Sequence, residues 1–315
     1  MRLLLLIPAI ILHGLFAQGQ NRSSYKLVWS DEFNKNEAPA SSNWTYETGF
    51  VRNHELQWYQ SQNATCQNGK LVIQAKRDAK ANPAFVAGSN DWRKGRDSIH
   101  YTSACLATKG LHSWQYGRFV MRARIDISDG LWPAWWTLGV NRPWPADGEI
   151  DIMEYYRKKL LANIACLGKN RQAEWFSNRF NVDSLGGKKW ASKFHTWRMD
   201  WTKDFIALYV DDHLLNKVPL DSLVNKDGSG FNPFQQPHYM LLNLAIGGDN
   251  GGDPSRTSFP KRFEIDYVRV YQEKIERNPN GWFANEWEKN IKKRIVPLSI
   301  HFCKKVIIYF FYYIW

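Results

Sequence analysis

Short segments of alternating apolar and polar residues dominate the middle of the chain and predict β-strands. Examples are residues 70–76, 117–125, 205–210 and 263–271. β-Branched and aromatic residues are frequent in these segments, and Gly, Asn, Asp and Pro separate them. Long amphipathic helical patterns are missing from the same part of the sequence. The pattern therefore predicts one all-β domain, a sandwich or a barrel, of roughly 250 residues.

The two ends of the chain depart from this pattern. Residues 1–19 combine a positive start, an apolar run and a small-residue exit, which predicts a secretory signal peptide, with an uncleaved anchor as the alternative. Export would make the mature protein secreted, periplasmic or bound at the cell surface. Residues 274–315 show no strand pattern and end in an apolar run too short to span a bilayer. We predict that they form an appendage outside the fold and that the folded domain covers 20–273.

The charge of the chain does not indicate nucleic-acid binding. The formal net charge is +12, but residues 20–273 hold 33 basic and 27 acidic residues without a basic cluster. We therefore predict no nucleic-acid partner. We also predict a monomer with no membrane-spanning segment. Tryptophan accounts for 16 of the 315 residues, enough to line a groove for ligands with flat apolar faces as well as a core.

The cysteines do not have the close spacing of a metal site. They are Cys66, Cys105, Cys166 and Cys303. Cys66 and Cys105 both lie in strand-like segments and could pair in an oxidising compartment. Free buried thiols are the alternative.

Three carboxylates, Glu149, Asp151 and Glu154, fall within one predicted strand. Under strict alternation Glu149 and Asp151 share a face, whereas Glu154 points into the core. A lone buried carboxylate is costly, so we predict a one-residue β-bulge at Ile152 and Met153 that returns Glu154 to the face of Glu149. Repulsion and desolvation would then raise at least one pKa, an arrangement that suits glycoside hydrolysis with retention. A solvated acidic edge strand or a cation site is the alternative.

An aromatic run lies just upstream of these carboxylates. In an extended chain Trp132, Ala134 and Trp136 share one face. Two indoles on either side of a small residue would make a stacking platform for sugar rings. The alternative is that these tryptophans belong to the core.

The run 149–154 resembles the catalytic signature of glycoside hydrolase family 16 in its bulged, laminarinase-like form. Other segments follow the order of the family's motifs through nearly all of residues 26–272. They are 29–33, 53–59, 68–71, 101–103, 116–119, 132–136, 194–197, 242–245 and 266–271. Each motif alone is weak, but the ordered set is specific.

The resemblance implies a concanavalin A-like jelly-roll β-sandwich with an open cleft on its concave face. It also implies endo-acting, retaining hydrolysis of β-linked polysaccharides. Glu149 would be the nucleophile, Glu154 the acid/base, and Asp151 the residue that tunes the nucleophile. The family's cleft aromatics and sugar contacts match Trp132, Trp136, Asn53, Glu55 and Asn243.

A structural calcium ion is a further implication of the resemblance, because some family members bind one far from the catalytic residues. Glu32, the backbone oxygen of Gly69 and Asp266 match that site, and oxygen ligands suit Ca²⁺. The alternative is that Asp266 merely caps a strand. No cofactor is expected for catalysis.

Two departures from the family pattern bear on the substrate. Ala104 and Cys105 stand where laminarinase-like members often carry Gly-Arg, and residues 161–166 lack a His that β-1,3-glucanases commonly place there. We predict β-1,3-glucan as the substrate, with mixed-linkage β-glucan or a red-algal galactan such as agarose or porphyran as alternatives. A non-catalytic glucan-binding protein and a transglycosylase are the further alternatives.

Overall fold

A computed structural model describes residues 25–273 of the chain. The predicted leader, 1–19, and the predicted appendage, 274–315, lie outside the described residues. The chain divides into two units after Lys274, and the described residues belong to the first.

Two β-sheets contain the strands of residues 25–273. The ten-stranded sheet contains β1 (Tyr25–Asp31), β3 (Gln57–Tyr59), β4 (Ala64–Gln67), β5 (Lys70–Ala81), β6 (Ser98–Ser103), β8 (Gly117–Arg124), β13 (His195–Trp201), β14 (Phe205–Val210), β15 (His213–Pro219) and β17 (Lys261–Glu273). The seven-stranded sheet contains β2 (Thr45–Tyr46), β7 (Cys105–Ala107), β9 (Leu131–Gly139), β10 (Glu149–Tyr156), β11 (Lys159–Leu167), β12 (Ala173–Asn181) and β16 (His238–Ile246).

Helices are short throughout the described part of the chain. The α-helices are α1 (Trp92–Gly95), α2 (Gly187–Ala191) and α3 (Gly248–Gly251). Single 3₁₀ turns lie at Ser61–Asn63, Lys169–Arg171, Val182–Leu185, Leu220–Leu223 and Pro233–Gln235. Within residues 25–273, no helix has the length and apolar character needed to cross a membrane.

The strand order brings together segments that are far apart in the sequence. The ten-stranded sheet runs β15-β14-β13-β8-β17-β5-β6-β3, with β1 beside β17 and β4 beside β5. The seven-stranded sheet runs β12-β11-β10-β9-β16-β7-β2. This two-layer, almost wholly antiparallel arrangement is a jelly-roll β-sandwich, and it confirms the predicted all-β fold.

The core lies between the two sheets because each sheet turns alternate side chains inward. In β8 the inward positions are Phe119, Met121 and Ala123, which are buried, while the intervening Val120 and Arg122 are only partly buried. Trp135 and Ile150 enter the same apolar cluster from the seven-stranded sheet. Full burial of a large apolar side chain contributes about 1.5–3 kcal/mol, so many such residues together offset the entropy cost of ordering the chain.

The described cysteines are free. Cys66 lies in β4 of the ten-stranded sheet, Cys105 lies in β7 of the seven-stranded sheet, and Cys166 lies in β11; all three thiols are buried and unpaired. Burial raises the pKa of Cys66 to about 12 and that of Cys166 to about 11. The structure thus shows free thiols rather than a disulfide between Cys66 and Cys105, and Cys303 lies outside the described residues.

Candidate active site

The predicted bulge is present in β10. Asp151 pairs with Trp136 of β9 and Asn163 of β11, whereas Glu154 pairs with Ala134 and Leu161. Between these two pairs β10 advances three residues while each neighbouring strand advances two. One extra residue therefore lies in β10 relative to both neighbours, which is the definition of a β-bulge.

The bulge sends two successive apolar side chains into the core. Ile152 and Met153 are both fully buried in the cluster between the sheets. Glu149, Asp151 and Glu154 consequently line one cavity on the opposite face of the seven-stranded sheet. The prediction of three carboxylates on a single face is confirmed.

Glu149 is held by groups that have opposite effects on its protonation. Burial raises its pKa well above the usual range, and the neighbouring Asp151 and Glu154 raise it further. Trp144 opposes this shift, because its indole N–H donates a hydrogen bond to Glu149 Oε2 at 2.5 Å. The interaction between the carboxyl groups of Glu149 and Asp151 contributes to the raised pKa of Glu149.

Glu154 is more buried than Glu149 and accepts hydrogen bonds from two donors. Trp132 Nε1 donates to Glu154 Oε1 at 2.8 Å, and Asn163 Nδ2 donates to Glu154 Oε2 at 2.8 Å. The same amide lies 3.1 Å from Asp151 Oδ2. Burial and the charge of Asp151 raise the pKa of Glu154 well above its usual range, and burial raises the pKa of Asp151 to about 6.

The two predicted stacking tryptophans do lie on the cavity face, but they present little ring surface. Trp132 is 6% exposed and Trp136 is 8% exposed. Their indole N–H groups are used inside the site, that of Trp136 donating to Asn243 Oδ1 at 2.7 Å. Two other tryptophans that line the cavity, Trp144 and Trp175, are 53% and 45% exposed and are better placed to stack on a sugar. Stacking of Trp132 and Trp136 on a sugar ring stays a prediction.

A hydrogen-bonded chain connects the remaining predicted sugar contacts. Asn243 Nδ2 donates to the Tyr59 hydroxyl at 3.1 Å, and that hydroxyl donates to Glu55 Oε2 at 3.2 Å. Asn53 Nδ2 lies 3.4 Å from Glu55 Oε1. Burial raises the pKa of Glu55, an effect that the nearby guanidinium of Arg52 opposes. The chain fixes the orientation of these side chains before any sugar arrives.

These groups form one cavity of about 360 Å³. Its lining contains all eight predicted catalytic and sugar-binding residues. The full lining is Arg52, Asn53, Glu55, Trp132, Ala134, Trp136, Leu138, Trp144, Glu149, Asp151, Glu154, Trp175, Asn243 and Asn250. The sequence analysis did not predict Arg52, Trp144, Asn163, Trp175 and Asn250. Only Trp144 had a signal in the local sequence, because it lies between two prolines and five residues before Glu149.

The residues that match a calcium site are arranged differently from a ligand set. Both carboxylate oxygens of Glu32 accept hydrogen bonds from Arg269, at 2.8 and 2.7 Å. Asp266 Oδ2 accepts from Arg122 at 2.5 Å. Residues 25–273 contain no cluster of His, Cys, Asp and Glu that could hold a metal ion. Glu32 and Asp266 are both paired with arginines, and calcium binding by these residues and the backbone oxygen of Gly69 stays a prediction.

Two glutamates that line one cavity, with an aspartate between them, are typical of glycoside hydrolases that act through a pair of carboxyl groups. The family model described as "Glycosyl hydrolases family 16" matches residues 50–269 of the chain. The protein belongs to this family, as its sequence motifs predict.

Three similar proteins illustrate the relationship. The chain is 33% identical to a protein named "Beta-glucanase" from Rhodothermus marinus, over 83% of this chain and 92% of that protein. It is 34% identical to "Glucan endo-1,3-beta-glucosidase A1" from Niallia circulans, over 78% of this chain but 38% of that longer protein. A solved structure from work on endo-acting O-glycanases of the human gut microbiota that initiate mucin breakdown superposes with a TM-score of 0.73 at 32% identity, over 80% of this chain and 92% of that chain.

Proposed function

We propose that this glycoside hydrolase cleaves β-1,3-glucan internally, with Glu149 as nucleophile and Glu154 as acid/base. The observation that carries the proposal is the bulge, which places both glutamates on the cavity face with Asp151 between them. Similarity to proteins named β-glucanase and glucan endo-1,3-β-glucosidase supports the choice of glucan.

The raised pKa values indicate which carboxyl acts as the acid and which as the nucleophile. Three buried carboxyls in contact cannot all ionise at neutral pH, so they titrate as a coupled set. Glu154, whose pKa is raised by burial and by Asp151, holds a proton and suits the acid. Glu149 acts as nucleophile in its ionised form, and the indole N–H of Trp144 stabilises that charge.

The reaction then proceeds in two displacements. Glu149 attacks the anomeric carbon while Glu154 transfers its proton to the departing glycosidic oxygen, which leaves a covalent glycosyl-enzyme. Glu154, now a carboxylate, removes a proton from water as the water oxygen attacks the same carbon and Glu149 is released. The anomeric configuration is retained, Glu154 is protonated again, and Glu149 is released as a carboxylate.

Glycan cleavage by two glutamates predicts different phenotypes for their variants. Glu149→Gln should abolish turnover. Glu154→Ala should leave slow hydrolysis of an activated aryl glycoside, and azide should increase that rate because azide attacks the glycosyl-enzyme without a general base. Activity of Glu149→Gln at the wild-type level would refute the assignment.

A second candidate substrate is the O-glycan of mucin. The TM-score of 0.73 with a structure described for O-glycanases that initiate mucin breakdown favours it. A panel of laminarin, mixed-linkage glucan, agarose, porphyran and mucin O-glycans, with product sizing, decides between these substrates. Release of reducing ends separates an enzyme from a binding protein, and elongation of an added acceptor identifies transglycosylation.

Export of the enzyme is also part of the proposal. It rests on the signal-peptide pattern of residues 1–19 and suits an enzyme whose polysaccharide substrate lies outside the cell. Expression of the full chain, with mass determination of the exported product, tests cleavage near residue 19.

A further inference from the structure

A second cavity, of about 650 Å³, adjoins the catalytic one and has no role in the chemistry described above. The two cavities share Leu138 and Trp144 in their linings. Because the Trp144 indole donates to Glu149, the second cavity begins directly behind the residue that contacts the nucleophile. A polysaccharide bound across Glu149 would therefore reach it on leaving the catalytic cavity.

Exposed apolar side chains form part of its wall. Leu111 is 40% exposed, Val140 is 45% exposed and Trp144 is 53% exposed, and all three line this cavity. Large apolar side chains that stay exposed together in a concave site mark a binding surface. The face of Trp144 in particular can pack against the C–H face of a sugar ring.

Two cations lie on the same lining, and neither forms a salt bridge within residues 25–273. Lys109 Nζ lies 5.6 Å from the ring centre of Tyr239, and the Arg142 guanidinium lies 3.6 Å from that of Phe231. The acid on the lining, Asp147, is 2% exposed, and its Oδ2 accepts the backbone N–H groups of Asn141 and Arg142. The accessible charge of the cavity is therefore positive.

We propose that this cavity is an extended subsite for a sugar unit that carries an anionic substituent, either a sulfate ester or a carboxylate. Trp144 supports the ring, and Lys109 and Arg142 bind the substituent through charge-assisted hydrogen bonds. The inference rests on the proposed function as a polysaccharide hydrolase, and it extends the substrate class from neutral chains to chains with acidic decoration.

The test compares neutral and anionic forms of one backbone. Laminarin is compared with its sulfated and carboxymethylated derivatives, which also separates the two kinds of substituent. The variant is Lys109→Gln/Arg142→Gln, and the matched control is Lys203→Gln/Arg262→Gln. The control removes two exposed cations, one between β13 and β14 and one in β17, that do not line this cavity. The readout is the ratio of kcat/KM on the anionic form to kcat/KM on the neutral form. It is measured at low salt and in 0.5 M NaCl, where the Debye length is roughly 4 Å.

The expected result is a fall of about tenfold in this ratio for Lys109→Gln/Arg142→Gln at low salt, with little change for the control. High salt should reduce the wild-type ratio by a similar factor. An unchanged ratio in the double variant would overturn the inference. If laminarin itself is not cleaved, the glucan assignment fails, but the inference about the second cavity can still be tested. The same ratio is then measured on a substrate that is cleaved. The pairs are porphyran against agarose, and native against desialylated mucin.

Discussion

The indole N–H of Trp144 acts directly on the pKa of the nucleophile Glu149. Trp144 opposes the burial that raises the pKa of Glu149, so Trp144→Phe should raise that pKa further. Because the nucleophile must be ionised, the acidic limb of the kcat/KM profile should move to higher pH. Trp175→Phe is the control, since it alters another cavity indole and should lower kcat/KM without moving the limb. An unmoved limb in Trp144→Phe would show that the hydrogen bond does not control ionisation.

Burial of the catalytic carboxyls also predicts a cost in stability. The folded-state pKa of Glu149 is raised, so its contribution to stability is lost as pH rises above the unfolded-state value. Glu149→Gln removes this penalty and should raise Tm by a few degrees at pH 7.5, with a smaller gain at pH 4.5. Glu37→Gln, at a carboxylate that is 59% exposed, should show no such pH-dependent gain. An equal gain at both pH values would contradict the mechanism.

Three kinds of signal decided which site residues could be predicted. Alternation along one strand predicts the catalytic carboxylates, and the family resemblance predicts Asn53, Glu55 and Asn243. Residues that reach the site only through strand pairing were missed. Glu149, Asp151 and Glu154 lie within one strand, so alternation and the cost of a buried charge were sufficient. Asn163 contacts two of them only because β11 pairs with β10, and Trp175 reaches the cavity from β12. Nothing in the local sequence around either residue specifies that pairing.

At the scale of a strand, the register of β10 controls whether the two glutamates face the same cavity. Deletion of Met153 removes the extra residue and should turn Glu154 away from the cavity. We expect activity to fall at least a hundredfold, about 2.7 kcal/mol in transition-state free energy. Met153→Leu, which conserves both residue count and approximate volume, should retain most activity. A deletion variant with no bulge in its crystal structure and with undiminished activity would refute this prediction.

The strand predictions succeeded because their pattern is local. Residues 117–125 and 205–210 correspond closely to β8 and β14, while 263–271 forms the middle of the longer β17. The order of the strands was not predictable in the same way. The placement of β17 between β8 and β5 depends on which apolar faces fit together across the core, a property of the assembled sandwich.

At the scale of the whole molecule, β17 is the last strand among residues 25–273. Glu273 pairs with Tyr25 at the end of β1, so both ends of the described chain are fixed in the ten-stranded sheet. Truncation after Glu273 should therefore keep the activity and Tm and improve solubility. Truncation after Pro260 removes β17 and should prevent folding. A fall in Tm of more than a few degrees for the first truncation would place residues 274–315 within the fold.

The central position of β17 has a consequence for how the protein is made. Among the strands of residues 25–273 it is the last to be synthesised, yet it joins β8 on one side and β5 on the other. Until it emerges from the ribosome, the ten-stranded sheet exists as two halves with unpaired edges, and its long-range contacts cannot close. The nascent chain is thus exposed to aggregation and dependent on chaperones until synthesis of the domain is nearly complete. The same delay would keep a chain destined for export unfolded, and therefore able to be threaded through a translocation channel.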